Sequence, residues 1–164
     1  MPVSSDAFRA AMARLGAAVN IVTTDGPAGR QGCTASAVCS VTDSPPTLLV
    51  CLNRDSDSNA AIKHNGVLCV NVLAHHHDTL SSVFAGMLGH DDAAQRFIHG
   101  AWQTLVTGAP ALADAVVVFD ARVAQVTEIG THSVFFAEIE AIRTDPSASA
   151  LFWFDRSYHR LPTV

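Results

Sequence analysis

The hydrophobic positions of this chain change period several times. Ser4 or Ser5 can cap a first helix, in which Phe8, Met12 and Leu15 share one face at i, i+4 and i+7, with Gly16 as a stop. Residues 17–24 read as a strand rich in β-branched Val19, Ile21 and Val22, and Asp25-Gly26-Pro27-Ala28-Gly29 is turn chemistry. The run 32–42 then alternates as one strand. Cys33, Ala35, Ala37, Cys39 and Val41 form a small apolar face, opposite Thr34, Ser36, Val38, Ser40 and Thr42. A face carrying four hydroxyls can look into water or line a polar groove, and the pattern alone does not choose between them.

Asp43-Ser44-Pro45-Pro46 interrupts the sheet, and the continuous apolar run 47–52 reads as a strand buried on both faces. Cap candidates Asp55, Ser56, Asp57 and Ser58 precede a short helix through Ala60, Ile62 and Lys63 to His64. Residues 67–73 form a strand, 78–87 a helix with Leu80, Val83, Phe84 and Met87 on one side, and 91–98 a weaker helix. The last third is again strand-like over 116–126, 131–142 and 151–154. Many strands, few short helices and close turns predict a mainly β fold: a closed barrel with short helical insertions, one domain over residues 1–164.

Composition narrows the partners. A net charge of -5 with Lys63 as the sole lysine leaves no basic run for nucleic acid. No apolar run reaches membrane-span length, and the start lacks a signal-peptide layout, so a cytoplasmic location is expected. A mean hydropathy of +0.26 is high for one small domain, which points to apolar surface covered by a partner subunit or a ligand. Cys33, Cys39, Cys51 and Cys69 form no CxxC pair and sit in apolar strands, as buried free thiols would.

Catalytic motifs are scarce. His75-His76-His77 suggests a metal cluster, but consecutive residues splay apart and no acidic or cysteine partner stands at a ligand spacing, so a solvated helix entrance is expected and no metal. There is no G-x-S-x-G elbow, no G-x-G-x-x-G after a strand and no P-loop. A hydroxyl-rich strand, several helix starts and the histidine of Gly130-Thr131-His132 remain, a set suited to binding a flat phosphorylated cofactor.

The stretch 32–53, GCTASAVCSVTDSPPTLLVCLN, resembles the signature of the short-chain flavin reductases of two-component flavin-dependent monooxygenases. Leu68-Cys69-Val70-Asn71-Val72-Leu73, Phe84-Ala85-Gly86, Gly130-Thr131-His132 and the segment from Trp153 to His159 extend the likeness, in order, over nearly the whole chain. Within the family the chain is similar to the reductase component of 4-hydroxyphenylacetate 3-monooxygenase and to the pyrimidine-utilisation flavin reductase.

The resemblance implies an FMN-binding split β-barrel and a homodimer with flavin, FMN or FAD, at the subunit interface. It also implies hydride transfer from NADH and delivery of reduced flavin to a separate oxygenase. It places Thr34, Ala35 and Ser36 along the flavin, with Ser40 and Val41 close by and Cys51, Leu52 and Asn53 beside the ribityl chain. The phosphate falls near the helix start at Ser56 to Asn59, where Ser58 adds a donor, with Arg54 as counter-charge and Asp55 and Asp57 working against it. Phe84 matches an aromatic position near the ring or, alternatively, a core position. His132 falls on the nicotinamide side, with Thr131 where many relatives carry Asp. Tyr158 closes over the site or packs, and Arg156 assists with phosphate or pyridine nucleotide. A tightly flavin-bound oxidase of the pyridoxamine-phosphate-oxidase type and a non-catalytic flavin carrier are the competing readings.

Overall fold

The computed structural model describes residues 2–90 and 92–162. Ser4 caps α1 (Ser5–Met12), its Oγ accepting from Ala7 N at 3.2 Å. The predicted apolar stripe exists, yet α1 buries none of its residues: Phe8 is 59% and Met12 44% exposed, and Leu15 beyond it 64%. The strand expected over 17–24 divides at Val19 into β1 (Ala17–Ala18) and β2 (Asn20–Thr24). Val19 N donates to Leu151 O and Val19 O accepts from Leu73 N, so the chain changes partners there.

The strand expected over 32–42 is likewise two strands, β3 (Gln31–Ala35) and β4 (Val38–Asp43), separated by Ser36-Ala37. Next come β5 (Pro46–Asn53), α2 (Asp57–Asn65), β6 (Val67–Val72), α3 (Asp78–Phe84) and α4 (Ala93–Phe97). Asp91, where the weaker helix was expected to open, lies outside the described residues. A small hairpin, β7 (Trp102–Thr104) with β8 (Pro110–Leu112), precedes the long strands β9 (Val117–Ile129) and β10 (His132–Thr144). The chain closes with the hairpin β11 (Ala150–Phe154) and β12 (Ser157–Leu161).

The main sheet runs β3-β2-β6-β9-β10-β5-β4. Its two edge strands are consecutive in sequence, and a two-residue link cannot span a flat seven-stranded sheet whose strands lie about 4.8 Å apart. The sheet must therefore curl until β3 and β4 meet, which makes a barrel split at Ser36-Ala37. Val22, Val50, Leu68, Val70 and Phe135 fill its interior. A second cluster lies outside the wall, where Ile21, Leu73, Phe84, Leu112 and Leu151 pack together.

The two cores explain which strands are buried on both faces. In the main sheet these are β2, buried at every residue, and β6, buried at all but Val72. The run 47–52 is instead one-sided: Leu48, Val50 and Leu52 point inward, while Thr47, Leu49 and Cys51 are half-buried. Asp120, fully buried on β9, accepts from Val106 N at 2.7 Å, Thr107 N at 2.8 Å and the Thr107 hydroxyl, tying a loop to the barrel. Of the cysteines only Cys69 is fully buried; Cys33 and Cys51 are intermediate and Cys39 is exposed, so the expectation of four buried thiols fails on β4.

Candidate functional site

The joint between β3 and β4 is built from both sides. Thr34 Oγ1 donates to Ser81 O at 2.6 Å, turning that hydroxyl toward α3. Tyr158 OH donates to Ser81 Oγ at 2.9 Å, and the Tyr158 ring meets Trp153 edge-on at 4.9 Å. Asn20 Nδ2 donates to Ala35 O at 3.1 Å, and Cys51 N donates to Ala37 O at 3.0 Å. Ser36 and Ala37 themselves are exposed between these anchors.

Three clefts share Ser36 as a wall. One, of about 340 Å³, opens between Asn20 and Phe119 on one side and Val38, Ser40 and Leu48 on the other. One, of about 210 Å³, lies between Thr34-Ala35-Ser36 and Trp153 with Tyr158. The third, of about 600 Å³, runs beside α1, bounded by Met12, Leu15, Cys39, Leu49, Cys51 and Arg156. The expected continuous hydroxyl face is thus divided: Thr34 is committed to α3, while Ser36 and Ser40 line clefts. Val41, on the opposite face of β4, is 47% exposed.

A second group gathers at the far end of β5. Asn53 pairs with His132 across β5 and β10, and Arg54 N donates to Thr131 O at 2.9 Å. Thr131 Oγ1 and His132 Nδ1 lie 2.9 Å apart, so the threonine supplies the ring with a hydrogen-bond partner. Arg54 is not a free counter-charge. Its Nε lies 3.2 Å from Glu128 Oε2, and Glu128 Oε1 is also 2.6 Å from Lys63 Nζ.

Several expectations are corrected here. Of the four cap candidates, Ser56 caps α2, its Oγ accepting from Asn59 N at 3.2 Å. Ser58 and Asn59 are only 3% and 1% exposed; the Asn59 amide donates to Leu52 O and Ser58 is turned toward Cys33, so neither side chain faces an incoming phosphate. Leu52 points into the barrel and meets no ribityl chain by its side chain. Phe84 takes the core alternative: it is 1% exposed and packs at 5.1 Å from Phe97 and 5.4 Å from Trp102. Met87, expected on the same apolar side, is 72% exposed because α3 ends at Phe84. Arg156 sits exposed on the β11–β12 turn at φ 60°, beside the largest of the three clefts.

The histidine run differs from its expectation. His77 is buried at the start of α3, and Asp114, distant in sequence, comes within 3.0 Å of His76 Nε2 and 3.1 Å of His77 Nε2. Because His77 Nδ1 accepts from Ala74 N at 3.0 Å, Nε2 carries the proton and donates to Asp114. Burial holds His77 below the ordinary histidine value, against the Asp114 charge that raises it. Burial raises Asp114, but hydrogen bonds from His76 and His77 hold it below the usual carboxylate range.

Ser81, Trp153, Glu128 and Asp114 were missed from the sequence. Each is a side chain brought in by tertiary contact, and only Trp153 lies in a segment the resemblance already named. What the site offers chemically is hydroxyls, backbone groups at a break in the sheet, aromatic edges and one fixed guanidinium.

Residues 12–162 match the model of the flavin reductase like domain. The chain belongs to the flavin reductase family. It is an oxidoreductase with the family's split barrel. It is 57% identical over 154 residues to FMN reductase (NADH) RutF of Variovorax paradoxus (strain S110), covering 94% of this chain and 84% of that one. It is 54% identical over 159 residues to FMN reductase (NADH) RutF of Escherichia coli (strain K12), covering 97% and 95%. BorF, the flavin reductase component of a bacterial two-component tryptophan halogenase, superposes with a TM-score of 0.88 at 25% identity, covering 97% of this chain and 99% of that one.

Proposed function

We propose that this flavin reductase oxidises NADH, reduces FMN and releases the reduced flavin to a separate oxygenase. The observation that carries the reading is the near full-length likeness to two proteins named FMN reductase (NADH). Their shared name favours a pyrimidine oxygenase over an aromatic one as the recipient. Of the described helices, none is long and apolar enough to cross a membrane, in keeping with a reductase working in the cytoplasm.

The local geometry fits a flat, phosphate-bearing ring system. Clefts converge on Ser36, where the backbone leaves the ladder, and Ala35, Ser36, Ser40 and the backbone of Thr34 would hold the ring and its edges, whereas Val41 lines none of the three clefts. Cys51 and Asn53 would flank the ribityl chain, and Arg54 would meet the phosphate. Flavin supplies hydride acceptance when bound. The chain's own task is to orient two rings in contact and exclude water, which asks for no protein acid or base. His132, exposed and oriented by Thr131, is assigned to the nicotinamide.

We also propose a homodimer. Phe8, Met12 and Leu15 present an uncovered apolar stripe beside the cleft that contains Leu49 and Cys51, and a second copy covering it would complete the flavin site. NADH absorbance decay with purified protein, with and without FMN, FAD or riboflavin, tests the function. Rapid decay only with flavin, fastest with FMN, is expected; flavin binding with no decay would turn the reading to a carrier or an oxidase. His132→Ala is expected to lower NADH turnover more than FMN affinity, and unchanged steady-state kinetics would remove His132 from the site.

A further inference from the structure

Glu128 lies at the end of β9, outside every motif that the family likeness rests on, yet it is the hub of a charged cluster. Ser133, fully buried at the start of β10, donates its hydroxyl to Oε2 at 2.8 Å. The same Oε2 faces Arg54 Nε at 3.2 Å, while Oε1 faces Lys63 Nζ at 2.6 Å. Arg54 is held twice more, by Nη1 donating to Gly130 O at 3.3 Å and by its backbone N donating to Thr131 O. These contacts use Nε and Nη1 and leave Nη2 with no acceptor among the described residues. Hydrogen bonds from Lys63 and Ser133 hold the Glu128 carboxyl below its ordinary range.

A surface ion pair by itself contributes little to stability, and here the side chains are 52% and 42% exposed. Direction is a different matter. Asp55 and Asp57 are exposed at the start of α2, and a freely rotating arginine on this segment would be drawn to them. With Glu128 fixed by a buried serine, Nε and Nη1 are engaged on this side and Nη2 is left for a ligand.

We infer that Glu128 is a positioning residue that aims Arg54 for recognition of a phosphate monoester, the flavin 5′-phosphate. The inference rests on the flavin-reductase reading for its ligand but not on turnover. A guanidinium already ordered loses less freedom on binding, and its charge-assisted bonds to phosphate are directional. The Glu128 charge also weakens the local positive field, so the two effects oppose each other, and preorganisation is the one assigned here.

The test is equilibrium titration of FMN and of riboflavin, which lacks the phosphate, with wild type, Glu128→Gln, Arg54→Met and the double variant, alongside Tm. Glu128→Gln is expected to weaken FMN about tenfold, ~1.4 kcal/mol, and riboflavin less than about twofold. It should add nothing in the Arg54→Met background and should leave Tm nearly unchanged. Equal weakening of both flavins, additivity with Arg54→Met, or tighter FMN binding would each overturn the inference, as would a wild type that binds the two flavins equally. Failure of NADH oxidation would sink the reductase reading and leave these titrations interpretable.

Discussion

β3 and β4 come from one alternating stretch of sequence and end in opposite circumstances. β3 is covered. Gly32 lies so close to α3 that an added Cβ would fall 2.9 Å from Phe84, Thr34 is bonded to Ser81, and Ala35 O is held by Asn20. Beyond half-buried Val38, β4 is bare, with Cys39, Ser40, Val41, Thr42 and Asp43 all exposed. The periodicity is the same; what differs is the layer laid over each half. Helix α3 and the β11–β12 hairpin clamp the first, and among the described residues nothing covers the second. The candidate site lies where a fixed strand hands over to a free one, at Ser36-Ala37.

The largest effect is expected at that handover. Ser36→Leu puts a branched side chain into the shared wall of three clefts, and overpacking of ~1–3 kcal/mol corresponds to a loss of FMN affinity of about fivefold to 150-fold. The fold should survive, because Ser36 is exposed and outside the ladder. A variant with normal flavin titration would mean that the joint faces solvent in the working protein, and the comparison would lose its functional half.

The clamp on β3 is tested by Gly32→Val. The Phe84 and Phe97 rings that its side chain would meet are themselves packed, so they cannot swing away cheaply. A loss of about 2 kcal/mol is expected, a fall of roughly 4–8 °C in Tm. Thr42→Val on β4 should stay within about 0.5 kcal/mol of wild type. Similar Tm shifts for the two variants would show that β3 is no more constrained than β4.

Tyr158→Phe sharpens the comparison without adding bulk. It removes the hydroxyl bonded to Ser81 while keeping the ring against Trp153. About 1 kcal/mol of stability should go with it, together with a small rise in the KM for flavin, because Ser81 also receives Thr34 through its carbonyl. A KM rise with Tm unchanged would place Tyr158 on the ligand and not in the clamp.

Much of the barrel is legible in the sequence. Alternation gave β9 and β10, the apolar run gave β6, and the Asp/Ser cluster contained the cap of α2. Period alone could not reveal that Val19 and Ser36-Ala37 are breaks, because a strand that changes partners keeps its side-chain alternation. The short β7–β8 hairpin was invisible for want of length, and β12, whose Ser157, His159 and Arg160 are polar, gave no hydrophobic signal. At the candidate site, the signature and motif name Thr34, Ser36 and His132, whereas Glu128 and Ser81 are brought in only through neighbours far away in sequence. Phe84 misled because a core aromatic and a ligand-facing one look alike in a linear pattern.

The smallest effect reads the comparison through the thiols, with no mutation. Burial pushes the Cys33 thiol up, against a hydrogen bond from Ser58, and burial raises Cys51 and Cys69 as well. Only the thiolate attacks a disulfide reagent, so these three should label slowly at pH 8 in native protein. Cys39, on the bare strand, is open to reagent in a single copy of the chain. One fast-reacting thiol per chain in dilute protein is expected, slowing at concentrations where a second copy covers the cleft that Cys39 shares with Met12 and Leu15. Equal rates for all four thiols would mean that β3 is no better covered than β4. A fast Cys39 at every concentration would leave the coverage of β3 intact and remove β4 from the proposed dimer contact.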